Sequence, residues 1–194
     1  MLRLFLTVSV LFWHQLAAQD EVDNFCREND CTEPAEVIVD KNYEEVEFQH
    51  VQWVETTVHG MDMNHAIETG LDKLFNYSHF ANAAGTIIPI SAPWGVHGDI
   101  VNGKMDQAFR VYVMIVPEVI SPPEPTDQTV KIARVPTSSF YLRTIDRKVD
   151  EQQYEELVTK FQQDLEQDNQ HFYPSFFIAL YNTHGLMQIG FLKK

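Results

Sequence analysis

Residues 61–94 decide the fold and read MDMNHAIETGLDKLFNYSHFANAAGTIIPISAPW. The first half repeats apolar residues every three or four positions, and residues at this spacing share one face of an α-helix. Asp62 is the predicted N-cap of that helix, which we expect to end near residues 76–78. The second half is a short β-branched run that predicts a strand. Pro89 and Pro93 interrupt this run, and because proline offers no backbone donor, the strand lies at a sheet edge or bends sharply.

The rest of the chain repeats this arrangement of strands around a helix. A second helix is predicted after Asp150, since apolar residues again recur at helical spacing through residue 165. Further strands are predicted at residues 34–39, 43–48, 51–58, 109–116, 130–135, 140–144, 176–181 and 186–192. The glycine-containing segment 95–104 predicts a loop. Strands, a helix and two strands thus occur twice, which indicates an α+β fold with antiparallel strands.

Length and charge narrow the class of protein. At 194 residues the chain fits one domain with a proper core. The net charge of −14 argues against binding to nucleic acid or to anionic membrane surfaces, which require clustered Lys and Arg. No run of 18 apolar residues follows the N-terminus, so no membrane insertion is predicted.

The first 18 residues have the layout of a secretory signal peptide. A short basic start is followed by the apolar run Leu4–Trp13 and by the small residues Ala17 and Ala18. A buried first helix is the alternative, but it would need polar residues on one face, and this run contains two. We therefore expect a secreted, extracellular protein whose mature chain begins near Gln19 or Asp20.

The two cysteines fit an oxidising compartment. Cys26 and Cys31 lie close together in a polar stretch and, without a nearby pair of histidines, make a poor zinc site. A local disulfide is the preferred prediction. Asn76-Tyr77-Ser78 is an N-glycosylation sequon, so Asn76 is a predicted glycosylation site of the secreted chain. The predicted organisation is a signal peptide at 1–18, an N-terminal segment with the cysteine pair at 19–33, and one domain at 34–194.

No catalytic constellation is visible in the sequence. The chain has no nucleophile elbow, no His-Glu-x-x-His, no P-loop and no dinucleotide-binding glycine pattern. Its histidines are scattered singly, and a single histidine is more often a surface residue than a metal ligand. The sequence therefore predicts neither an enzyme nor a metal site.

Several motifs in the right order resemble those of the SOUL haem-binding proteins. Members carry a first helix ending Leu-Phe-x-Tyr and then a Met-Thr-Ala-Pro-Val-like motif, which correspond here to Leu74–Tyr77 and Ile90–Trp94. A proline-rich loop at Pro122–Asp127 and strand-like segments at Tyr141–Arg143 and Leu180–Asn182 also match. The resemblance spans roughly residues 32–194. It implies a distorted, antiparallel, eight-stranded barrel-like sheet flanked by two helices, with a pseudo-twofold repeat.

The resemblance also implies a ligand, namely haem or another tetrapyrrole, held on an apolar surface near the first helix. The ligand contacts that we expect are Met63, Ile67, Leu71 and Trp94. Some members have a proposed axial histidine in the first strands, where this chain has Glu47. Members often place basic residues on the first helix, where this chain has Glu68 and Asn76. The axial histidine of the family pattern is thus missing at that position, so we expect mainly hydrophobic binding of a small tetrapyrrole, with similar affinity for haem and for iron-free protoporphyrin.

Two functions remain open at this point. The first is a secreted, non-enzymatic tetrapyrrole-binding protein for sequestration or transport. The second is a secreted interaction module that kept the SOUL scaffold and lost haem binding.

Overall fold

The computed structural model describes residues 19–28, 31, 34–39, 42–60, 62–182 and 185–194. The predicted signal peptide lies outside these residues. Within them, helix α1 covers residues 19–28, and two longer helices follow, α2 (Met63–Ser78) and α3 (Glu151–Gln167). The strands are β1 (Glu36–Val39), β2 (Glu44–Phe48), β3 (Val51–His59), β4 (Ile90–Val101), β5 (Lys104–Met105), β6 (Ala108–Ile115), β7 (Val130–Val135), β8 (Ser138–Asp146), β9 (Phe172–Leu180) and β10 (Leu186–Lys193). No helix among the described residues is long and apolar enough to cross a membrane.

The strands form one curled antiparallel sheet with an internal twofold pattern. The order is β1-β2-β8-β10-β9-β4-β6-β3-β7, with β5 paired to β4. The unit β3-α2-β4-β6 and the unit β8-α3-β9-β10 have the same topology and meet at β4 and β9. The strand before each unit pairs with the other unit, since β2 pairs with β8 and β7 with β3. The predicted α+β class is confirmed, and the described sheet has ten strands rather than eight.

Both long helices begin as the sequence predicts. The Asp62 carboxylate accepts a hydrogen bond from the backbone N–H of His65 at 2.9 Å, which satisfies one of the free donors of the first turn. Asp150 and Gln153 form a reciprocal capping box at the start of α3. Helix α2 then approaches the sheet closely at Gly70, where an added Cβ would lie 2.5 Å from the Cβ of Val111.

The two faces of the sheet have different neighbours. One face carries the main core, in which both long helices pack against alternate residues of the strands. On β6, for example, Phe109, Val111, Val113 and Ile115 are buried there, as the alternation predicts. Among the described residues, the other face, which we call the open face, is covered at one end by α1. Val22 of α1 is buried in a small cluster with Ala179, Tyr181 and Leu186.

The segment that follows Pro93 differs from its prediction. Residues 95–101 are not a loop but the second half of β4, which pairs on both sides, with β6 and with β9. The glycines allow this close packing, because an added Cβ at Gly95 would lie 1.9 Å from the carbonyl oxygen of Ile178. β4 is therefore a central strand, and the predicted sharp bend occurs as a register shift between Ser91 and Trp94.

The predicted disulfide is present. Cys26 and Cys31 are bonded, with their Cα atoms 4.8 Å apart. Both cysteines pack against the cluster that holds α1 on the sheet. The disulfide thus links the last turn of α1 to Cys31 in the segment that follows the helix.

Candidate functional site

The four predicted ligand contacts all belong to the main core. Met63 is 0% exposed and Ile67 is 7% exposed, so both side chains face the sheet rather than solvent. Leu71 and Trp94 pack against the same core but are only partly buried. All four residues thus belong to the main core, and Leu71 and Trp94 are the two that keep accessible surface.

An apolar surface continues from Leu71 to the end of α2. Leu71, Phe75 and His79 are spaced by four residues and therefore follow one another along one side of the helix. The side chains of Phe75, Phe80 and Ile87 are 40%, 59% and 62% exposed. Ile87 forms an antiparallel bridge with His79, which brings the loop back beside the helix end. We call Leu71, Phe75, His79, Phe80 and Ile87 the α2 patch.

Phe80 has an unfavourable backbone conformation that exposes its ring. Phe80 has φ of 77°, in the left-handed region that is unfavourable for bulky residues. Its backbone N–H donates to the carbonyl oxygen of Thr86 at 3.3 Å, within the loop that Asn82 stabilises by hydrogen bonds to Tyr77 and Thr86. The loop thus holds a large apolar side chain in solvent, and strain of this kind concentrates at functional sites.

His79 is the oriented imidazole of the α2 patch. Its Nδ1 lies 2.9 Å from the carbonyl oxygen of Phe75 and 2.9 Å from Oγ of Ser78. In the neutral tautomer whose Nδ1–H donates to the Phe75 carbonyl, Nε2 keeps a lone pair. The ring is exposed. A backbone carbonyl on one ring nitrogen is the arrangement that orients metal-ligating histidines.

A polar hollow of about 300 Å³ lies beside His79. Its other lining residues include Lys73, Asn76 and Asp127, and Lys73 supplies the positive charge there. The Nζ of Lys73 donates to Oγ1 of Thr129 at 3.2 Å. The backbone and side-chain hydrogen bonds from Thr129, with a smaller contribution from Lys73, hold the pKa of Asp127 below its ordinary value. The hollow thus carries one cation, Lys73, and one carboxylate, Asp127, beside the α2 patch.

The residues that the family pattern singles out are placed elsewhere. Glu47 lies on β2 and alternates with Val46 and Phe48, so its side chain is on the opposite side of the strand from theirs. His50 lies in the exposed turn between β2 and β3 with φ of 50°. Glu68 and Asn76 are exposed on α2. Within the described residues, no three His, Cys, Asp or Glu side chains converge as a metal site.

The open face holds a second, separate cavity. It is about 70 Å³ in volume and is lined mostly by apolar and aromatic side chains from seven strands: Phe48, Val51, Trp53, Pro93, His97, Tyr112, Met114, Phe140, Leu142, Phe177, Ala179, Tyr181 and Gln188. Burial, and secondarily Arg110, lowers the pKa of His97 to about 3, against the opposing effect of Asp99. The ring is therefore neutral at physiological pH. This cavity is too small to enclose a macrocycle, because one water occupies about 30 Å³ in the liquid.

The α2 patch fits a tetrapyrrole. Its exposed apolar side chains offer a surface for the macrocycle, and His79 presents a lone pair beside them. Lys73 adds one positive charge for an acidic substituent. Sequence reasoning did not find His79 because it treated each histidine singly. The sequence feature that could have identified His79 is its position directly after α2. It stands four residues after Phe75 and immediately before Phe80, and both phenylalanines are exposed.

The comparisons with known proteins agree with this fold. The family model "SOUL heme-binding protein" matches residues 32–189. Human Heme-binding protein 2 is 25% identical over 145 residues, which cover 73% of this chain and 71% of that protein.

Solved structures extend the likeness of fold beyond the family. The EcmrR C-terminal domain has a TM-score of 0.58 at 9% identity, covering 78% of this chain and 96% of that one. A hydrolase from Listeria innocua has a TM-score of 0.54 at 8% identity, covering 81% and 94%. At these identities the structures show the fold alone. The family model covers most of the chain, and its motifs lie on the elements described above; this protein therefore belongs to the SOUL heme-binding family.

Proposed function

We propose that this protein binds a tetrapyrrole, haem or a related porphyrin, on the α2 patch. The observation that carries the proposal is the exposed apolar surface of Phe75, Phe80 and Ile87 around the oriented His79. Membership of the SOUL heme-binding family and the name of the human relative support the ligand class. The protein acts as a non-enzymatic binder that sequesters or transports the pigment outside the cell. The predicted signal peptide and the disulfide support that location.

Apolar contact supplies most of the affinity. Burial of apolar surface contributes about 25 cal/mol per Å². A few hundred Å² of macrocycle and patch therefore contribute several kcal/mol, from which the entropy of association must be subtracted. The expected dissociation constant is on the order of micromolar, which corresponds to about 8 kcal/mol.

His79 adds selectivity for the metallated pigment. Haem, when bound, would supply an iron, and His79 would hold it through a neutral imidazole nitrogen. The carbonyl of Phe75 fixes the His79 tautomer, so that Nε2 is free to bind. The ammonium of Lys73, in the adjoining hollow, attracts an acidic side group of the pigment. His79 thus supplies the imidazole that the family pattern has at the position of Glu47. Lys73 supplies the positive charge that the pattern has at the positions of Glu68 and Asn76.

Optical titration of the purified mature chain tests the site. Haem and iron-free protoporphyrin are titrated into wild type, Phe75→Asp and Ile120→Asp, and the Soret band is followed. Phe75→Asp is expected to weaken both ligands at least tenfold, because it puts a carboxylate on the apolar surface. Ile120→Asp is the matched control, since Ile120 is 83% exposed and lies outside the patch. Equal weakening by both variants would contradict the assigned surface.

A second comparison tests ligation by His79. In wild type, haem is expected to bind more tightly than the iron-free porphyrin, and His79→Ala should remove that difference while leaving porphyrin affinity unchanged. His171→Ala removes another exposed imidazole and should change neither value. An unchanged haem preference in His79→Ala would show that another group, or none, binds the iron.

The alternative function has its own supporting observation. Glu68 and Asn76 replace basic residues on α2, which removes charge complementarity to pigment carboxylates. A chain that kept the scaffold as a secreted interaction module would show no Soret change with either ligand. The same titration therefore distinguishes the two functions.

A further inference from the structure

The open face carries a groove that the tetrapyrrole proposal does not use. The aromatic cavity of about 70 Å³ adjoins a second space of about 510 Å³ between α1 and the sheet. The two share four lining residues: Phe48, Leu142, Tyr181 and Gln188. We call the combined space the open-face groove. Its size falls within the range of about 300–1,000 Å³ that is usual for small-molecule sites.

The inner half of the groove is an aromatic box. Trp53 stacks on His97 with ring centroids 5.4 Å apart, and Tyr112 and Phe177 lie 4.8 Å and 5.9 Å from the same imidazole. Phe140 packs edge-on against Phe177 at 5.4 Å. Because His97 is neutral, no side chain that lines this half carries a positive charge. Aromatic faces of this kind bind flat apolar groups and attract cations.

The outer half of the groove is acidic. Asp20 and Asp23 of α1 and Glu44 of β2 line it, with Arg27 as its cation. Glu44 is 1% exposed, so its carboxylate lies in poorly solvated surroundings. Burial raises the pKa of the Tyr181 hydroxyl, and the negative charges of Glu44 and Asp23 raise it further. The field in this half therefore favours positive charge.

A hydrogen-bonded floor joins the two halves. Tyr181 donates to Oε1 of Gln188 at 2.6 Å, and Gln188 donates to Oγ1 of Thr144 at 3.2 Å. Thr144 in turn donates to the side-chain oxygen of Gln19 at 2.8 Å, which ties α1 to the sheet. The position of the acidic residues over the groove is thus set by contacts with strands β8 and β10.

We propose that the open-face groove binds an amphipathic organic cation, with a flat apolar ring system in the aromatic half and an ammonium group beneath α1. The carboxylates of a tetrapyrrole would meet Glu44, Asp20 and Asp23, so the groove and the α2 patch select ligands of opposite charge. The site is independent of the proposed function, because it shares no lining residue with the α2 patch.

A matched pair of probes tests the charge preference. 1-Naphthylmethylamine and 1-naphthylacetate carry the same ring with opposite charge, and their binding to the full mature chain is measured by calorimetry at pH 7. The amine is expected to bind at least tenfold more tightly than the carboxylate. Raising the salt from 50 to 500 mM should reduce this ratio, since screening weakens the interaction between the charges.

Variants separate the two halves of the groove. The double variant Asp20→Asn/Asp23→Asn changes two exposed positions on α1 and should lower the amine-to-acetate ratio at least threefold. Phe177→Leu should weaken both probes by a similar factor, because it removes a ring and no charge. Phe75→Asp, on the α2 patch, should change neither probe. Thermal unfolding of each variant confirms that the fold is kept.

The proposal has clear contrary results. Equal affinity for the two probes, or no binding of the amine, would overturn it. So would an amine affinity that the Asp20→Asn/Asp23→Asn variant leaves unchanged. Haem titration of the same samples is unaffected by these outcomes, so failure of this site and failure of the α2 site are distinguishable.

Discussion

His97 should make the stability of this protein depend on pH through one half-buried ring. In the unfolded chain an imidazole has a pKa near 6.5, whereas burial lowers the pKa of His97 to about 3 in the folded protein. A folded-state pKa below the unfolded value means that protons bind preferentially to the unfolded chain as the pH falls. The stabilisation is therefore complete above pH 6.5 and is lost progressively between pH 6.5 and pH 3.

The magnitude follows from the same two values. A difference of one unit between the folded-state and unfolded-state pKa changes the free energy of unfolding by up to about 1.4 kcal/mol. Between pH 7 and pH 4 the linkage amounts to roughly 3 kcal/mol, a large share of the 5–15 kcal/mol typical of a domain. Partial access of water to the groove would lower this figure, so it is an upper value.

Chemical unfolding at a series of pH values measures the effect. Urea unfolding of wild type and His97→Gln between pH 7 and pH 4 gives the free energy of unfolding at each pH. His97→Gln is expected to be less stable at pH 7, because a polar amide replaces a packed ring, and to lose less stability on acidification. The carboxylates titrate in both proteins, so their contribution cancels in the difference. His171→Gln, at an exposed position, is the control and should follow wild type.

Parallel curves for wild type and His97→Gln would refute the reasoning. They would show that the imidazole either takes up its proton as readily in the folded protein or reaches solvent through the groove. A wild-type curve that already runs parallel to the variant below pH 5 would place the folded-state pKa of His97 well above the value of about 3.

Three further predictions concern other parts of the chain. Gly70→Ala should destabilise the fold by about 1–3 kcal/mol in urea unfolding, because the added Cβ would overlap Val111 and overpacking outweighs the gain in helix propensity. Asn76 is exposed, so protein from a eukaryotic host should lose mass on endoglycosidase treatment, whereas Asn76→Gln should not; an unchanged wild-type mass would exclude a glycan. N-terminal sequencing of secreted protein should begin near Gln19, and a retained Met1 would contradict cleavage of a signal peptide.

The elements that the sequence predicted well are those with strong local patterns. Asp62 and Asp150 cap their helices as expected, because capping depends on residues within one turn. The alternation in β6 located its buried face, because a half-buried strand repeats every two residues. The Cys26–Cys31 pairing followed from the presence of two cysteines, their short spacing and the predicted secretory context.

The parts that were missed depend on long-range contacts. The second half of β4 was assigned to a loop because glycine usually marks turns, yet Gly95 and Gly98 are small to allow close packing beside Ile178 and Phe176. The open-face groove takes only a few residues from each of many strands, so no local sequence pattern predicts it. His79 became a candidate ligand only when the loop brought Ile87 beside it.

The two ends of the sheet have unequal protection against pairing with another chain. At one end, β7 exposes Lys131 and Arg134, and charged side chains discourage the addition of a further strand. At the other end, β1 is a short strand with exposed Val37 and Ile38, and within the described part of the chain it pairs with β2 alone. Its outer backbone groups are therefore a template for an extended segment. Association of this protein, with itself or with an extended peptide, would start at β1, on the flank of the sheet that lies nearest the disulfide-closed N-terminal segment.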